Sequence, residues 1–534
     1  MLLPFTFATR RIIPLRQRPI RQRRPFSISS SATSSGERMR IAICGGGVAG
    51  LTTALHLAEL VERGLIAGPM DVYTGIPPSP SRDIGVGLWS TALTPFQHSW
   101  RSSHQLIWDD LTHYGRWVGQ VGYKTPSGAW LATSQLPTDT ENEMPALLFL
   151  REQDLIKALR KAVHLEELRG TIMVHQGRQA RVQGIDEHFV PPFSAPLILH
   201  DNQITERDYH LIVAADGMNS ILRQRYGGHR VLRRLTGATA LGSPFDAKEE
   251  RYDGPADEAS WEEQEQTQAN AIEDRGYTVF RGNANMSVEQ TGMQGISFQT
   301  WGEGNSMRFA TVPLSYPDAS GRVEQQVWFI TTSDTHITNE NNPDIRKEKL
   351  LQAFSKWHNP ILQLIQATPA KEILVERAMA HCHSVGPVPN LNRVLRQVYK
   401  TAPPSSGPGP AVVFIGDSFM TVDPILAQGF TMAMEGSAAL AQSVEASILQ
   451  FQDVGLAFDP YALRKQLQQH HDNRIGRLLR LLQATDLVQA LGQPKGGLIG
   501  SLSRYLVRPL MQIAPDFIKR PIFDATLKYS LKVR

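Results

Sequence analysis

MRIAICGGGVAG occupies residues 39–50. Arg40–Cys44 reads as a short buried strand, and Leu51–Val61, just beyond, reads as a helix. Between them Gly45, Gly47 and Gly50 form a GxGxxG turn. Such glycines permit a tight turn, let a pyrophosphate approach the backbone, and let the helix sit close to the sheet. The helix N-terminus then offers free N–H groups to phosphate. A second short strand, 71–74, completes a βαβ opening. Its end carries Thr74 where an acid usually meets the adenosine ribose; a hydroxyl can bond there but brings no charge.

Two further strands end in the same way. LIVAA (211–215) runs into Asp216-Gly217-Met218-Asn219-Ser220, with Arg223 following. AVVFI (411–415) runs into Gly416-Asp417, then Pro424, Gln428-Gly429 and a long helix predicted over 429–449. Open α/β sheets bind ligands at the carboxyl ends of their strands, which is where all three motifs lie. A carboxylate at 417 suits sugar or ribitol hydroxyls, and a helix starting at Gly429 can face developing negative charge.

Taken in order, GGGVAG, LIVAADGMNSILR and GDSFMTVDPILAQG resemble the fingerprints of the class A, single-component FAD-dependent monooxygenases. These have the p-hydroxybenzoate hydroxylase fold. Arg151 in FLREQDLIKAL is similar to the family's arginine near the flavin, with local spacing one residue looser. YTVFRG (277–282) and MRFATVPL (307–314) resemble strands of its substrate-domain sheet. The resemblance is spread over about residues 39–450. It implies that Gly45, Gly47 and Gly50 bind the ADP half of FAD and that Arg151 contacts the extended cofactor. Asp216 and Gly217 are implied to meet FAD and a transient NADPH or NADH. Gly416 and Asp417 would hold the ribitol, Pro424 would border the ring, and Gln428 and Gly429 would lie at its pyrimidine end. In the family, a flavin C4a-hydroperoxide transfers one oxygen atom from O2 to an aromatic ring. The chain departs from the family pattern at Met420 (His in the family), Ala427 (Gly) and Asp423 (a small residue, Thr or His).

The fold expected is α/β: a discontinuous Rossmann-like FAD-binding domain with an inserted β-sheet substrate domain and a helical C-terminal tail. The FAD domain takes 39–228, with some substrate-domain strands, and 411–450. The substrate domain takes 229–400. Within it, 245–275 reads as a solvated acidic insertion, GEGN (302–305) as a hairpin turn, and about 344–366 as one helix on the sheet. Residues 145–165 contain a helix with Leu155, Leu159 and Val163 on one face, and 451–534 is mostly helical.

Composition narrows the function classes. The chain has 534 residues and a formal charge of +4, but seven arginines and no acid fall within residues 1–36. Beyond residue 38 there are 47 Lys and Arg against 50 Asp and Glu, a net −3. The basic balance therefore reports the leader, and no nucleic-acid partner is expected. Residues 1–38 have the composition of an organelle transit peptide, read as mitochondrial, with a plastid address or a solvated tail as the alternatives. Two cysteines, Cys44 and Cys382, exclude a disulfide scaffold and thiolate metal clusters. His56, His98, His104 and His113 are scattered without metal-ligand spacing, so no metal is expected.

Residues 495–534 interleave bases with apolar residues. They suit either peripheral contact with an anionic membrane or a helical cap on the substrate domain. A mitochondrial, membrane-touching flavin hydroxylase implies a hydrophobic aromatic substrate of the demethoxyubiquinone type, on the matrix side of the inner membrane and within a biosynthetic complex. The alternatives are an FAD-dependent reductase of an isoprenoid or other hydrophobic substrate, and a non-catalytic FAD-fold accessory protein. The residues single out no catalytic side chain.

Overall fold

A computed structural model describes residues 38–75, 84–136, 146–186, 193–226, 272–292, 296–302, 307–318, 321–381, 409–424, 427–452, 458–492 and 521. The leader at 1–37 and most of the acidic insertion lie outside them, as does the tail from 493 apart from residue 521.

Four-residue apolar runs make the centre of the first sheet. Ile41–Cys44 pairs in parallel with Leu211–Ala214 on one side and Met70–Thr74 on the other. Ala411–Phe414 and Ile172–Gln176 extend the sheet at its two edges, again in parallel. Strands covered on both faces need no polar alternation, hence the unbroken apolar runs. Ile41 and Ile43 face the helices Val48–Glu62, Glu152–Leu168 and Gly429–Gln452. Ala42 and Cys44 face a small antiparallel sheet of Val182–Ile185, Ala195–Leu199 and Ile204–Tyr209.

The second sheet has seven strands. In order they are Leu374–His381, Ile272–Ala284, Gly321–Thr332, Arg308–Asp318, Ser297–Trp301, Gln120–Lys124 and Trp130–Gln135. The last two come from the first half of the chain. Phe280, Phe298, Phe309, Trp328 and Ile330 bury one face under the helices Pro343–Ala353 and Ile361–Ala367. The opposite face packs Leu314, Tyr316 and Val327 against Trp89 and Phe149 of a three-stranded sheet. That face, alternating with the first along each strand, is turned toward the nucleotide-type domain.

Several boundaries differ from expectation. The helix predicted over 344–366 is two helices, because a proline at 360 disfavours helical backbone at the residue before it. Residues 272–275 are strand, not solvated insertion: Ile272, Glu273 and Asp274 pair with His381, Ala380 and Met379, and main-chain pairing is indifferent to polar side chains. The 429–449 helix continues to Gln452. The helix near 150 begins at Glu152, behind the strand Leu147–Arg151. Ser297–Trp301 and Arg308–Asp318 pair antiparallel as the hairpin reading requires, although residues 303–306 of the turn are outside the described set. No helix of the described residues is long and apolar enough to cross a membrane.

Candidate active site

Parallel pairing brings the three glycine-containing motifs side by side. The ends of Ile41–Cys44, Leu211–Ala214 and Ala411–Phe414 are in register, and Ala215 N donates to Cys44 O while Ile415 N donates to Ala214 O. The glycines divide into two kinds. Gly45 has φ +133°, and a Cβ there would lie 2.0 Å from Ala215 O. A Cβ on Gly50 would lie 1.9 Å from Gly45 O. These two are demanded by the fold itself. Gly47, Gly217 and Gly429 have nothing within 4 Å of a built Cβ. They leave open space at the strand ends, where a ligand backbone can approach closely. The Val48–Glu62 helix starts at Gly47 with no side-chain cap and no acid in its first turn. Its N–H groups are thus left for an anion.

Asp216 caps the helix Ile221–Tyr226: its Oδ2 accepts from Ile221 N at 2.9 Å and Leu222 N at 3.3 Å. Arg223, 1% exposed, clamps two motifs together by donating to the carbonyls of Met218, Asp417 and Ser418. Thr74 donates to His175 O at 3.1 Å, and its Cγ2 would stand 2.4 Å from a Cβ on Gly46. The buried acid of that strand is instead Asp71, which bonds His175, Arg207 and Tyr209.

Gly416, at φ +58°, brings its turn against Ala49 of the first helix. Asp417 is accessible but set in a concavity. The surrounding protein desolvates its carboxyl and pushes it up to about 6, against the pull of Arg223. Met420, the family's histidine, is buried among Val422, Ile475, Leu478 and Leu481. A thioether fills this apolar contact with the helix Pro460–Gly492, where an imidazole would need a partner. Ala427 stands at φ +50°, a conformation that explains the family's glycine. Gln428 is buried and accepts from Arg477 Nη2 at 2.8 Å. Arg151 forms a bidentate pair with Asp154 and lies 3.7 Å over the Tyr316 ring, so it bridges the two sheets.

Above this cradle, the domain-facing side of the large sheet presents Tyr277 and Arg308. Asp423, next to Pro424, accepts from Tyr277 Oη at 2.6 Å and from Arg275 Nε at 3.0 Å. Arg308 is 6% exposed, and its Nη1 is buried with no hydrogen-bond partner. Burial lowers its pKa, while Tyr277, Asp423 and Tyr123 pull the other way. Arg281 pairs with Glu376 at 3.0 Å. His56 and His104 pack on Phe96 in the core, and burial holds His104 down to about 4. Among the described residues no cluster of His, Cys, Asp or Glu could hold a metal.

Arg308 and Arg477 were not singled out in the sequence, and Asp423 only as a departure from the family pattern. Arg308 left a signal: it is a cation on the same side of its strand as Ala310, Val312 and Leu314. Arg477 left none, because helix periodicity does not reveal which basic residue is buried.

No family model matches the chain. The aurachin C monooxygenase/isomerase of Stigmatella aurantiaca is 31% identical over 175 residues, 32% of this chain. The match spans 37% of that protein's length. Among solved structures, Klebsiella pneumoniae HpxO complexed with FAD and uric acid is similar with a TM-score of 0.59 at 15% identity. It covers 92% of this chain and 97% of that one. The 2,6-dihydroxypyridine-3-hydroxylase of Arthrobacter nicotinovorans gives 0.54 at 13%, covering 86% and 94%. PqsL of Pseudomonas aeruginosa gives 0.54 at 13%, covering 85% and 97%.

Proposed function

We propose that this chain, which carries the fold of the FAD-dependent monooxygenases, is itself one: an aromatic hydroxylase that takes electrons from NADPH or NADH. The observation that carries the reading is the juxtaposition of three strand-end motifs with a buried cation on the facing sheet. The likeness in fold and the partial likeness to a monooxygenase support it.

The chain's residues fit FAD. The open side of Gly47 and the uncapped helix behind it would take the pyrophosphate. Asp417 would accept from ribitol hydroxyls. Gly429, at a helix N-terminus, would meet the pyrimidine edge and favour negative charge there. Bound FAD supplies hydride acceptance and oxygen activation. The protein's part is to orient the ring between the cradle and the large sheet and to exclude water from it. Arg308 would receive an electronegative substituent of the aromatic substrate, because a buried guanidinium nitrogen without a hydrogen-bond partner is costly unless a ligand completes it.

The substrate proposed is a hydrophobic ubiquinone precursor of the demethoxyubiquinone type, handled in mitochondria at the matrix face of the inner membrane and within a biosynthetic complex. What supports this is the arginine-rich, acid-free leader and the basic, apolar tail.

The test is aerobic NADPH oxidation by purified residues 39–534, with and without a prenylated quinone precursor. Strong stimulation with hydroxylated product is the expected result. Reduction of the precursor without oxygen consumption would favour a reductase. Absence of bound flavin would favour an accessory protein.

A further inference from the structure

We propose that Arg308 is the anion-binding corner of the substrate site, so that the ring this chain takes carries an ionised oxygen, a phenolate or a carboxylate, beside Trp301. This rests on the flavin reading above and narrows its substrate. Arg308 is 6% exposed, and its Nη1 is buried with no hydrogen-bond partner. A guanidinium keeps its charge at any physiological pH. The groups that face it are Tyr277, Asp423 and Tyr123. Each oxygen of Asp423 already accepts a bond, Oδ1 from Tyr277 and Oδ2 from Arg275. Burial pushes the phenols of Tyr277 and Tyr123 up, so both stay neutral. None of the three accepts from Nη1.

The surroundings of that nitrogen suit a ring. Strand register sets Trp301 directly opposite Arg308, on the neighbouring strand and the same face of the sheet. The Tyr123 ring lies 5.1 Å from the Trp301 ring. The bond from Tyr277 to Asp423 ties this face to the loop before Pro424, which would border the flavin. A cation with a spare donor thus stands among aromatic side chains, on the side of the sheet turned toward the proposed cofactor. An ionised oxygen suits that donor better than a neutral one. The charge-assisted bond is roughly twice as strong, and it compensates a charge that is otherwise costly to bury. Phenols, hydroquinones and benzoates can present such an oxygen. A quinone cannot, so among ubiquinone precursors the site selects the reduced, hydroxyl-bearing ring.

The test uses the full chain loaded with FAD and a set of probe rings: para-nitrophenol, para-nitrobenzoate and the neutral para-nitroanisole. Binding is read from the flavin spectrum, and ionisation of bound nitrophenol from its own phenolate absorbance, so neither readout needs turnover. At least one anionic probe is expected to bind about tenfold more tightly than nitroanisole. Bound nitrophenol is expected to hold about ten times the phenolate-to-phenol ratio that it has in water at the same pH. The tighter of the two anionic probes tells whether a phenolate or a carboxylate is the source. R308M is expected to abolish the preference and to turn the ionisation the other way, because an apolar site favours the neutral phenol. R308K keeps the sign. A packing role for Arg308 weakens all probes alike in R308M and leaves the ionisation of bound nitrophenol unmoved, which overturns the proposal. Equal binding of all probes by the parent chain overturns it too. Should R308M fail to fold by circular dichroism, the comparison of probes on the parent chain decides. A full chain that takes up no FAD rejects the flavin reading and this proposal together. A loaded chain that binds none of the probes rejects this proposal alone.

Discussion

The phenol of Tyr277 donates a 2.6 Å hydrogen bond to Asp423 Oδ1, tying the seven-stranded sheet to the loop before Pro424. Arg275 holds the other carboxylate oxygen. One acid thus fixes the sheet against the turn that would border a flavin ring. Y277F removes one donor from a carboxylate that is fully buried, and should cost about 1–3 kcal/mol in urea denaturation. D423A should cost more than Y277F, because it leaves Arg275 buried without its carboxylate. Equal, negligible losses in both variants would show the junction to be slack.

Ala427 gives a prediction of the opposite sign. A non-glycine residue at φ +50° is strained. A427G should stabilise the protein by about 1 kcal/mol, read as a rise in denaturation midpoint. A fall in the midpoint would mean that the methyl group packs usefully.

Gly47 and Gly50 separate ligand space from fold. G47A places a methyl group where no protein atom lies within 4 Å, so the melting temperature of the unliganded chain should hold while FAD affinity falls about tenfold or more. G50A drives a methyl group into Gly45 O and should lower the melting temperature itself. Differential scanning fluorimetry with FAD titration distinguishes the two.

Asp417 predicts a pH dependence. Its folded pKa, about 6, stands above the ordinary 3.8, so the folded chain binds the proton more tightly than the unfolded chain does. Stability of the unliganded protein should therefore fall as pH rises from 3.8 to about 6, where this group alone is concerned. D417N removes that component, so the difference in stability between the variant and the parent should grow across the same window. FAD binding by D417N should weaken, since a carboxylate accepts more strongly than an amide.

Arg308 predicts a trade between stability and function. R308M replaces an incompletely bonded buried cation with an apolar chain and should raise stability by about 1 kcal/mol. It should abolish stimulation of NADPH oxidation by the aromatic substrate while leaving FAD content unchanged. Loss of stability in R308M would assign Arg308 to the framework.

The order of elements and the identity of the sheet were legible in residues 39–50, 211–217 and 411–417. Short apolar strands followed by glycine are local patterns, and the chain's parallel pairing only sets them side by side. The departures from the family pattern could be named but not weighed in the sequence. Only packing shows that Met420 fills an apolar seam against Leu478 and Leu481, that Asp423 is a junction rather than a blemish, and that Ala427 carries a left-handed backbone. Asp216 was legible as a strand-end acid, yet its helix-capping geometry was not. The buried cations were the least legible. Whether an arginine faces water or a flavin-sized cleft depends on what a distant segment lays over it, and the helix that buries Arg477 against Gln428 lies 49 residues away along the chain.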